Sequence, residues 1–343
     1  MSPAPTQLID SSQPELKSAA QCLKAGGLVA FPTETVYGLG ADAENPEALA
    51  KLYAVKGRPT HHPVIVHVAS AQQLAQWAVD IPEGAQVLAE AFWPGPLTLI
   101  LKRSSRVPDA VTGGQDTVGI RVPDHPVALA LLQTFGGGVA APSANRFGRL
   151  SPTTAQHVQQ DLGEDVDVIL DGGPCQVGVE STIVAFREGR PVILRPGLIT
   201  EDQIQQALQA ASRGFEPQSG ILANAPTSTV SRAPGTLASH YAPRTPLRLF
   251  SPSELPVPLA DLQPQDRIGV LAVSEAVVLA FPAGSVEKWV EMPNKPEDYA
   301  RLLYATLRDL DALGLSCIWV ERVPADAPWA AVVDRLTRAA FVG

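Results

Sequence analysis

The fold is decided by residues 29–68, which read VAFPTETVYGLGADAENPEALAKLYAVKGRPTHHPVIVHV. This stretch predicts a strand over residues 28–31, a polar turn, a glycine-rich bend at 37–40, a helix and a second strand over 64–68. Asn45 can cap the helix, and apolar residues at helical spacing give the helix one buried face. A strand, a helix and a strand in this order predict an open α/β sheet.

Polar side chains gather where these elements end. Thr33 and Thr35 follow the first strand, and Lys56 and Arg58 leave the helix at its C-terminus. Ligands of open α/β sheets bind at the ends of strands. Hydroxyl groups and cations in such a place predict an anionic ligand.

The composition narrows the class of protein. A length of 343 residues predicts two domains. A content of 45% hydrophobic and 18% charged residues predicts a globular protein. The formal net charge of −9 argues against nucleic acid as the main ligand, because affinity for phosphate backbones rests on clustered Lys and Arg. Three scattered cysteines, Cys22, Cys175 and Cys317, favour a reducing compartment over a disulfide framework or a metal site.

The chain offers no targeting or membrane signal. Its first 20 residues are polar and lack the basic start and apolar run of a signal peptide. The most apolar later run, 270–281, is interrupted by Ser274 and Glu275 and falls short of the roughly 20 residues that span a bilayer. We therefore expect a cytoplasmic protein with no membrane contact.

The pattern along the chain predicts two α/β domains and a linker: 1–211, a Gly-, Pro- and Ser-rich linker at 212–246, and 247–343. A linker of that length inside a compact protein is usually functional. Further helices are predicted over 70–78, 83–92, 126–135, 151–162, 200–211, 296–313 and 328–340. Further strands are predicted over 97–101, 117–122, 139–141, 166–170, 181–186, 192–194, 247–250, 268–273 and 317–320.

Two glycine patterns resemble a dinucleotide-binding fingerprint without its context. The one at 136–141 follows a helix and opens a strand, and the one at 38–43 is followed by a strand with His67 where an acidic ribose ligand is expected. Nicotinamide or flavin binding is therefore disfavoured. The sequence also has no Walker A motif and no zinc-type Cys/His spacing.

A set of cations and small polar residues remains at predicted element ends: Thr33, Lys56, Arg58, His67, Arg121, Ser143, Asn145, Ser181 and Arg195. Lys56 and Arg58 could simply complement a helix C-terminus. Arg121 and Arg195 sit in apolar strands, so each must face an internal carboxylate or a bound anion. Taken by itself, His67 is more typical of a core residue with its hydrogen bonds made than of a catalytic residue. Together the set suits phosphates and carboxylates, and predicts a site that holds and polarises ligands, as in nucleotidyl transfer.

Several motifs then identify a family. The chain resembles the YrdC-like threonylcarbamoyl-adenylate synthases in their long, two-domain form. The resemblance lies in Phe31-Pro32-Thr33-Glu34-Thr35-Val36-Tyr37-Gly38-Leu39, Lys56-Gly57-Arg58-Pro59, Pro142-Ser143-Ala144-Asn145, Ser181-Thr182-Ile183, Arg195-Pro196-Gly197 and His240-Tyr241-Ala242-Pro243. One departure is Thr236, which follows Gly235 where members often have methionine.

The resemblance implies a fold and a reaction. The fold is a YrdC-like twisted open α/β sheet with a large cleft, plus a smaller Rossmann-like α/β domain. The reaction makes L-threonylcarbamoyl-AMP from L-threonine, bicarbonate and ATP and releases pyrophosphate. A downstream threonylcarbamoyl transferase complex then modifies tRNA next to the anticodon. Magnesium is expected as Mg-ATP, although its ligands are not readable, and direct tRNA binding is expected to be weak or absent.

Matching positions assign the site residues. L-Threonine would be held by Thr33, His67, Arg121 and Ser181, with Arg121 on its carboxylate. ATP would be held by Lys56, Arg58, Thr60, Thr117, Ser143, Asn145, Ser151 and Arg195, of which Lys56, Arg58, Ser143 and Asn145 would be catalytic. His240 and Tyr241 would close the site as part of a lid formed by 212–246.

Two rival functions stay open from the sequence. One is carbamoyl-adenylate chemistry of the hydrogenase-maturation type, whose proteins carry zinc-finger and acylphosphatase modules that this sequence lacks. The other is a non-catalytic RNA-binding module. The negative net charge of the chain and its second domain both argue against this function.

Overall fold

The computed structural model describes residues 7–9, 12–211, 232–237, 239–252, 266–274, 277, 281 and 284–341. The chain forms two compact units. The first comprises Met1–Phe147 and Pro152–Thr236, and the second comprises Gly148–Ser151 and Leu237–Gly343. The predicted linker at 212–246 is therefore divided at Thr236, and its residues 212–231 lie outside the described part of the chain.

The first unit is built on a ten-stranded sheet in the order β1-β8-β2-β3-β7-β4-β6-β5-β9-β10. Its strands are β1 (Gln7–Ile9), β2 (Val29–Phe31), β3 (Gly38–Asp42), β4 (Ile65–His67), β5 (Leu97–Lys102), β6 (Thr117–Arg121), β7 (Val139–Ala140), β8 (Val168–Leu170), β9 (Thr182–Arg187) and β10 (Arg190–Arg195). Its helices are α1 (Gln13–Lys24), α2 (Pro46–Lys56), α3 (Leu74–Trp77), α4 (Glu83–Phe92), α5 (Asp109–Thr112), α6 (Pro126–Phe135), α7 (Ala155–Asp161) and α8 (Glu201–Ala211).

Local signals place several of these elements as predicted. The Asn45 side chain caps α2 by accepting from the N–H groups of Glu47 and Ala48, at 3.0 and 3.1 Å. Thr200 and Gln203 bond reciprocally at the start of α8 and form a capping box. Both features satisfy N–H groups that a helix start leaves without partners.

The prediction of a glycine-rich bend at 37–40 is wrong, because Gly38 and Gly40 lie in β3. A Cβ atom at Gly40 would come within 2.9 Å of the Phe31 ring and 2.8 Å of a Val139 methyl group. The glycines therefore leave room for the Phe31 ring to pack closely against the strand. This tertiary packing overrides the poor strand propensity of glycine.

Other boundaries also differ from prediction. The helix predicted from residue 151 begins at Ala155, where the Thr154 hydroxyl caps it. Helix α1 was not predicted, since its segment reads as polar, yet Leu16, Ala20 and Leu23 give it a buried face. The helix predicted over 70–78 is a short 3₁₀ turn followed by the four residues of α3.

The two faces of the ten-stranded sheet are covered differently. Side chains on one face join a large core with α2, α4, α7 and α8, and α1 and α6 cover the other face around Phe31 and Val139. Further along that second face, Ile65, Ile100 and Ile183 pack together with Ala233, and no described helix contributes to this cluster. We call this part the open face. Strand alternation assigns to it Ile65, His67, Thr98, Ile100, Thr117, Gly119, Arg121, Ser181 and Ile183.

The second unit is a four-stranded sheet in which every pair is parallel, as the predicted Rossmann-like domain requires. Its strands are β11 (Leu247–Phe250), β12 (Ile268–Ala272), β13 (Val286–Glu291) and β14 (Cys317–Glu321), and its helices are α9 (Pro296–Asp311) and α10 (Ala330–Ala339). Strand β13 was not predicted, since it is only partly buried. Where β12 ends, the Glu321 carboxylate accepts from the N–H groups of Val273 and Ser274, at 2.8 and 3.3 Å. Within the described residues, no helix combines the length and apolarity that crossing a membrane requires.

Candidate active site

Strand β6 forms the floor of the candidate site. Its alternation places Thr117, Gly119 and Arg121 on the open face, and a Cβ atom at Gly119 would lie 3.1 Å from Ile100 Cδ1 and 3.4 Å from Ile65 Cγ1. Because Gly119 has no side chain, nothing projects from the middle of the floor. Thr117 and Arg121 lie about 13 Å apart along the strand, given a rise of about 3.3 Å per residue. The floor is long enough for an extended ligand with chemically different ends.

Arg121 stands at one end of this floor and faces an internal carboxylate. Its Nη2 lies 2.7 Å from Oε1 of Glu34, with 5% and 6% of the two side chains exposed. Its Nε also donates to the carbonyl of Gly95 at 3.3 Å. The sequence left open whether a carboxylate or a bound anion faces Arg121, and it missed Glu34. The signal was an acidic residue between the two threonines of the first motif.

His67 lies beside Arg121, because the two residues are register partners in the parallel strands β4 and β6. Its ring packs edge-on against Phe31, with centroids 6.0 Å apart. Burial, and then the charge of Arg121, lower the pKa of His67 to about 3. The imidazole is therefore neutral at pH 7, and its buried Nδ1 has no hydrogen-bond partner within the described ranges.

This depressed pKa makes stability depend on pH. In the unfolded chain the imidazole takes a proton below about pH 6.5, whereas in the folded chain it does so only near pH 3, so stability falls as pH drops through that window. We expect the free energy of unfolding to fall by about 2 kcal/mol more between pH 7 and pH 5 in the wild type than in His67→Gln. Urea titrations at both pH values measure this difference. An equal loss of unfolding free energy between pH 7 and pH 5 in the two proteins would contradict it.

Thr33 shapes the turn that carries Glu34. Its hydroxyl donates to the carbonyl of Val36 at 2.6 Å and accepts from the N–H groups of Thr35 and Val36, both at 3.2 Å. The Thr35 hydroxyl lies 2.8 Å away and completes this set. The side chain predicted to hold threonine is thus engaged within its own turn, and the turn fixes where Glu34 points.

Ser181 and Arg195 form the neighbouring wall. The Ser181 hydroxyl lies 2.8 Å from that of Thr98 on the open face. Arg195 donates through Nε and Nη2 to the Ser181 carbonyl, at 3.1 and 3.0 Å, and through Nη2 to its hydroxyl at 3.2 Å. Its Nη1 donates to the carbonyl of Pro234 at 3.0 Å. The structure therefore places Arg195, predicted for ATP, next to the predicted threonine residues.

The segment 232–236 lies across the open face. Ala233 is buried among the isoleucines of the floor, and the Arg232 N–H donates to Gln115 Oε1 at 2.6 Å. The Arg232 guanidinium donates to the carbonyl of Gly113 at 2.9 Å. Together with the bond from Arg195 to Pro234, these contacts anchor the segment on both sides of the floor. This part of the predicted lid does cover the sheet.

The predicted lid residues His240 and Tyr241 belong to the second unit. The Arg335 guanidinium lies 5.2 Å from the centre of the Tyr241 ring, and the Tyr304 ring lies 6.0 Å away. The His240 and Tyr241 rings are 4.1 Å apart, and both side chains are buried. Helices α9 and α10 thus supply the surroundings of this pair. Their role at the site stays a prediction.

Lys56 is the most deeply buried cation of the predicted ATP set. Its Nζ donates to the carbonyls of Ser143 and Asn145, and burial together with the charge of Arg58 lowers its pKa. The same loop is tied to the residue before β3, since the Ala144 N–H donates to the Tyr37 carbonyl at 2.8 Å. Lys56 therefore fixes the loop at 143–145 rather than complementing the end of its own helix.

Arg58 lies next to this loop. Its Nη2 donates to the carbonyl of Pro63 at 2.7 Å, and its guanidinium lies 5.4 Å from the centre of the Phe147 ring. Thr60 is exposed in the turn that follows. Ser151 falls in the second unit, where its carbonyl accepts from Arg308 at 3.3 Å. The structure thus brings Lys56, Arg58 and the loop at 143–145 together, and it groups Ser151 with the second unit.

The described residues contain no group of three or more His, Cys, Asp or Glu side chains that could hold a metal ion. Magnesium in proteins is commonly held by one or two carboxylates, by water and by the phosphates of a bound nucleotide. The expectation of magnesium as Mg-ATP stays a prediction.

Comparison with known proteins decides the family. A family model described as "Telomere recombination", for the Sua5/YciO/YrdC domain, matches residues 21–197, and one described as "Threonylcarbamoyl-AMP synthase, C-terminal domain" matches residues 199–341. A threonylcarbamoyl-AMP synthase of Bacillus subtilis is 40% identical over 98% of this chain and 95% of its own length. The chain belongs to the threonylcarbamoyl-AMP synthase family. The predicted family and enzyme class are confirmed.

Relatives and solved structures agree with this membership. A threonylcarbamoyl-AMP synthase of Pyrococcus abyssi is 37% identical over 95% of this chain and 94% of its own length. The crystal structure of P. abyssi Sua5 complexed with L-threonine superimposes with a TM-score of 0.83 at 36% identity, covering 98% of each chain. A double-alanine variant of that protein gives 0.84 at 34% identity, covering 98% of this chain and 96% of that one. The predicted fold class is confirmed.

Proposed function

We propose that this protein makes L-threonylcarbamoyl-AMP from L-threonine, bicarbonate and ATP, with release of pyrophosphate. The observation that carries the proposal is the open face, a level floor of about 13 Å with a buried cation and carboxylate at one end. An amino acid joined to a nucleotide is an extended ligand with unlike ends, and it matches such a floor. The names of the relatives support the same reaction.

The amino-acid end uses Arg121, His67 and Ser181. Arg121 binds the substrate carboxylate, because a guanidinium pairs with carboxylates through charge-assisted hydrogen bonds. His67 is neutral at pH 7 and so can offer a ring nitrogen to the substrate without repelling the guanidinium next to it. Ser181, held by Thr98 and Arg195, presents a hydroxyl at the same end. In this scheme the Thr33 turn supports these groups.

The nucleotide end uses the cations and the loop around Lys56. Lys56 and Arg58 stabilise the negative charge that develops at the α-phosphate as pyrophosphate leaves, while Ser143 and Asn145 orient the triphosphate. Thr60 and Thr117 extend the same end. Magnesium bound to ATP would supply positive charge at the phosphate oxygens. Positioning of the reactants and stabilisation of charge supply most of the rate enhancement, since phosphoryl and nucleotidyl transfers need little covalent catalysis by the protein.

The segment 232–236 excludes water from the product. A mixed anhydride such as threonylcarbamoyl-AMP hydrolyses if water reaches it, and closing a site also strengthens the electrostatic contacts within it. The bond from Arg195 to the Pro234 carbonyl and the bond from the Arg232 N–H to Gln115 hold the segment across the floor. The product then passes to a threonylcarbamoyl transferase complex that acts on tRNA. We place the reaction in the cytoplasm, because all three cysteines are free thiols.

Pyrophosphate release tests this function directly. We expect release to require L-threonine and bicarbonate together with Mg-ATP. L-Serine should be a poor substitute, since the missing methyl group is worth about 1–3 kcal/mol in a fitted pocket. A coupled pyrophosphate assay with each component omitted in turn gives the answer. Turnover without bicarbonate, or equal turnover with serine, would refute the proposal. Pyrophosphate release when a carbamoyl donor such as carbamoyl phosphate replaces both L-threonine and bicarbonate would favour carbamoyl-adenylate chemistry instead.

A further inference from the structure

A buried carboxylate lies inside this site without an assigned role. Glu34 approaches Arg121 to 2.7 Å, but the contact lacks the angles of a hydrogen bond. Neither carboxylate oxygen of Glu34 accepts a hydrogen bond from any described residue. A carboxylate buried to this extent is stabilised by donors, so its two oxygens can still accept from a ligand.

The charges around Glu34 define what that ligand carries. Arg121 is the cation next to it, and His67 is neutral because burial and Arg121 hold its pKa near 3. His125 also faces Glu34, and burial lowers its pKa below the ordinary value. Immediately around Glu34 the pocket thus holds one positive and one negative charge, while the nearby Arg195 guanidinium is bound to the carbonyls of Ser181 and Pro234. A free α-amino acid also carries one of each.

Binding through Arg121 alone would not suffice for such a substrate. The amino acid would place its carboxylate on the guanidinium and would bury its ammonium group without a counter-ion. An uncompensated buried charge costs several kcal/mol, and a carboxylate at hydrogen-bond distance removes that penalty. The turn built around Thr33 holds Glu34 where it can meet this need.

We propose that Glu34 binds the α-ammonium group of the amino-acid substrate and so makes the pocket specific for free α-amino acids. The inference rests on the proposed function. Glu34 and Arg121 then bind the two charges of one zwitterion side by side, and the substrate nitrogen, which is the atom that becomes carbamoylated, is fixed in place by Glu34.

Two other roles for Glu34 predict different results. If Glu34 only supports the guanidinium, its loss weakens every ligand that uses Arg121. If Glu34 instead occupies Arg121 until the substrate displaces it, its loss strengthens every such ligand. Only an ammonium-binding role separates ligands that have the amino group from ligands that lack it.

The experiment is calorimetric titration of the full chain with L-threonine and with 2,3-dihydroxybutyrate, in which a hydroxyl replaces the ammonium group. We expect Glu34→Gln to weaken L-threonine binding about ten- to a hundredfold, as the loss of a charge-assisted hydrogen bond does. The affinity for the hydroxy acid should stay within about twofold. Glu44→Gln is the matched control, because Glu44 also pairs with an arginine but on the surface. It should change neither affinity.

Every other outcome has a definite meaning. Equal weakening of both ligands, tightening of both, or unchanged L-threonine binding each overturns the assignment of Glu34. A wild-type protein that binds neither ligand overturns the proposed function itself. ATP binding and thermal unfolding confirm that the variant is folded. If Glu34→Gln does not fold, Glu34→Asp is the alternative, because it keeps the charge but places it one methylene further back. This variant must then weaken the binding of L-threonine and leave the binding of the hydroxy acid unchanged.

Discussion

Arg121→Ala should destabilise the first unit by about 3–5 kcal/mol, because it leaves Glu34 buried without a counter-ion. The same variant should weaken L-threonine binding far more than ATP binding, since the guanidinium lies at the amino-acid end of the floor. Equilibrium unfolding in urea measures the first effect, and calorimetry on the folded protein measures the second.

A paired variant separates stability from binding. Arg121→Met combined with Glu34→Leu removes both charges together, and replacing a buried ion pair with apolar residues is often neutral or stabilising. We expect the double variant to recover most of the lost stability but none of the threonine affinity. If Arg121→Ala kept wild-type stability and wild-type threonine affinity, the buried pair would be neither a structural nor a binding element.

Lys56→Met should lower the affinity for ATP about ten- to a hundredfold while it changes threonine binding much less. The ammonium group is lost from the nucleotide end, and the carbonyls of Ser143 and Asn145 lose a buried donor. The loop at 143–145, which we propose orients the triphosphate, is then no longer fixed. Calorimetric titration with a non-hydrolysable ATP analogue measures the loss.

The control for this substitution lies on the same helix. Lys51 is exposed and forms a surface ion pair with Asp167 at 2.7 Å, so Lys51→Met makes the same chemical change without touching the site. It should leave both affinities unchanged. If Lys56→Met lost both ligands equally while remaining folded, the division of the floor into an amino-acid end and a nucleotide end would be wrong.

The sequence predicts the elements whose signals are local. Asn45 caps its helix as expected, because a cap depends on the few residues that follow it, and the capping box at Thr200 has the same local origin. Strand alternation predicts that Thr117 and Arg121 share a face, because its period is fixed by the backbone. These signals suffice for the floor of the site but not for Arg195, which was predicted for ATP and lies beside Ser181.

The partners of the buried cations could not be predicted in the same way. Glu34 meets Arg121, and Lys56 meets the carbonyls of 143–145, only because distant strands become neighbours in the sheet. The acceptor of Arg195 at Pro234 also depends on a chain that returns across the floor. Nothing local in the sequence encodes these contacts. The resemblance supplied ligand roles for the cations but not their internal partners.

The carboxylate of Glu321 determines what the N–H groups at the end of strand β12 bind in the second unit. Successive peptide N–H groups at the end of a parallel strand form a natural cradle for phosphate. In this unit Val273 and Ser274 offer such groups, and Glu321 already binds both of them. A phosphate arriving there would meet a resident anion and would have to displace it. In this unit the two successive N–H groups at the end of β12 are thus already bound by the chain's own carboxylate.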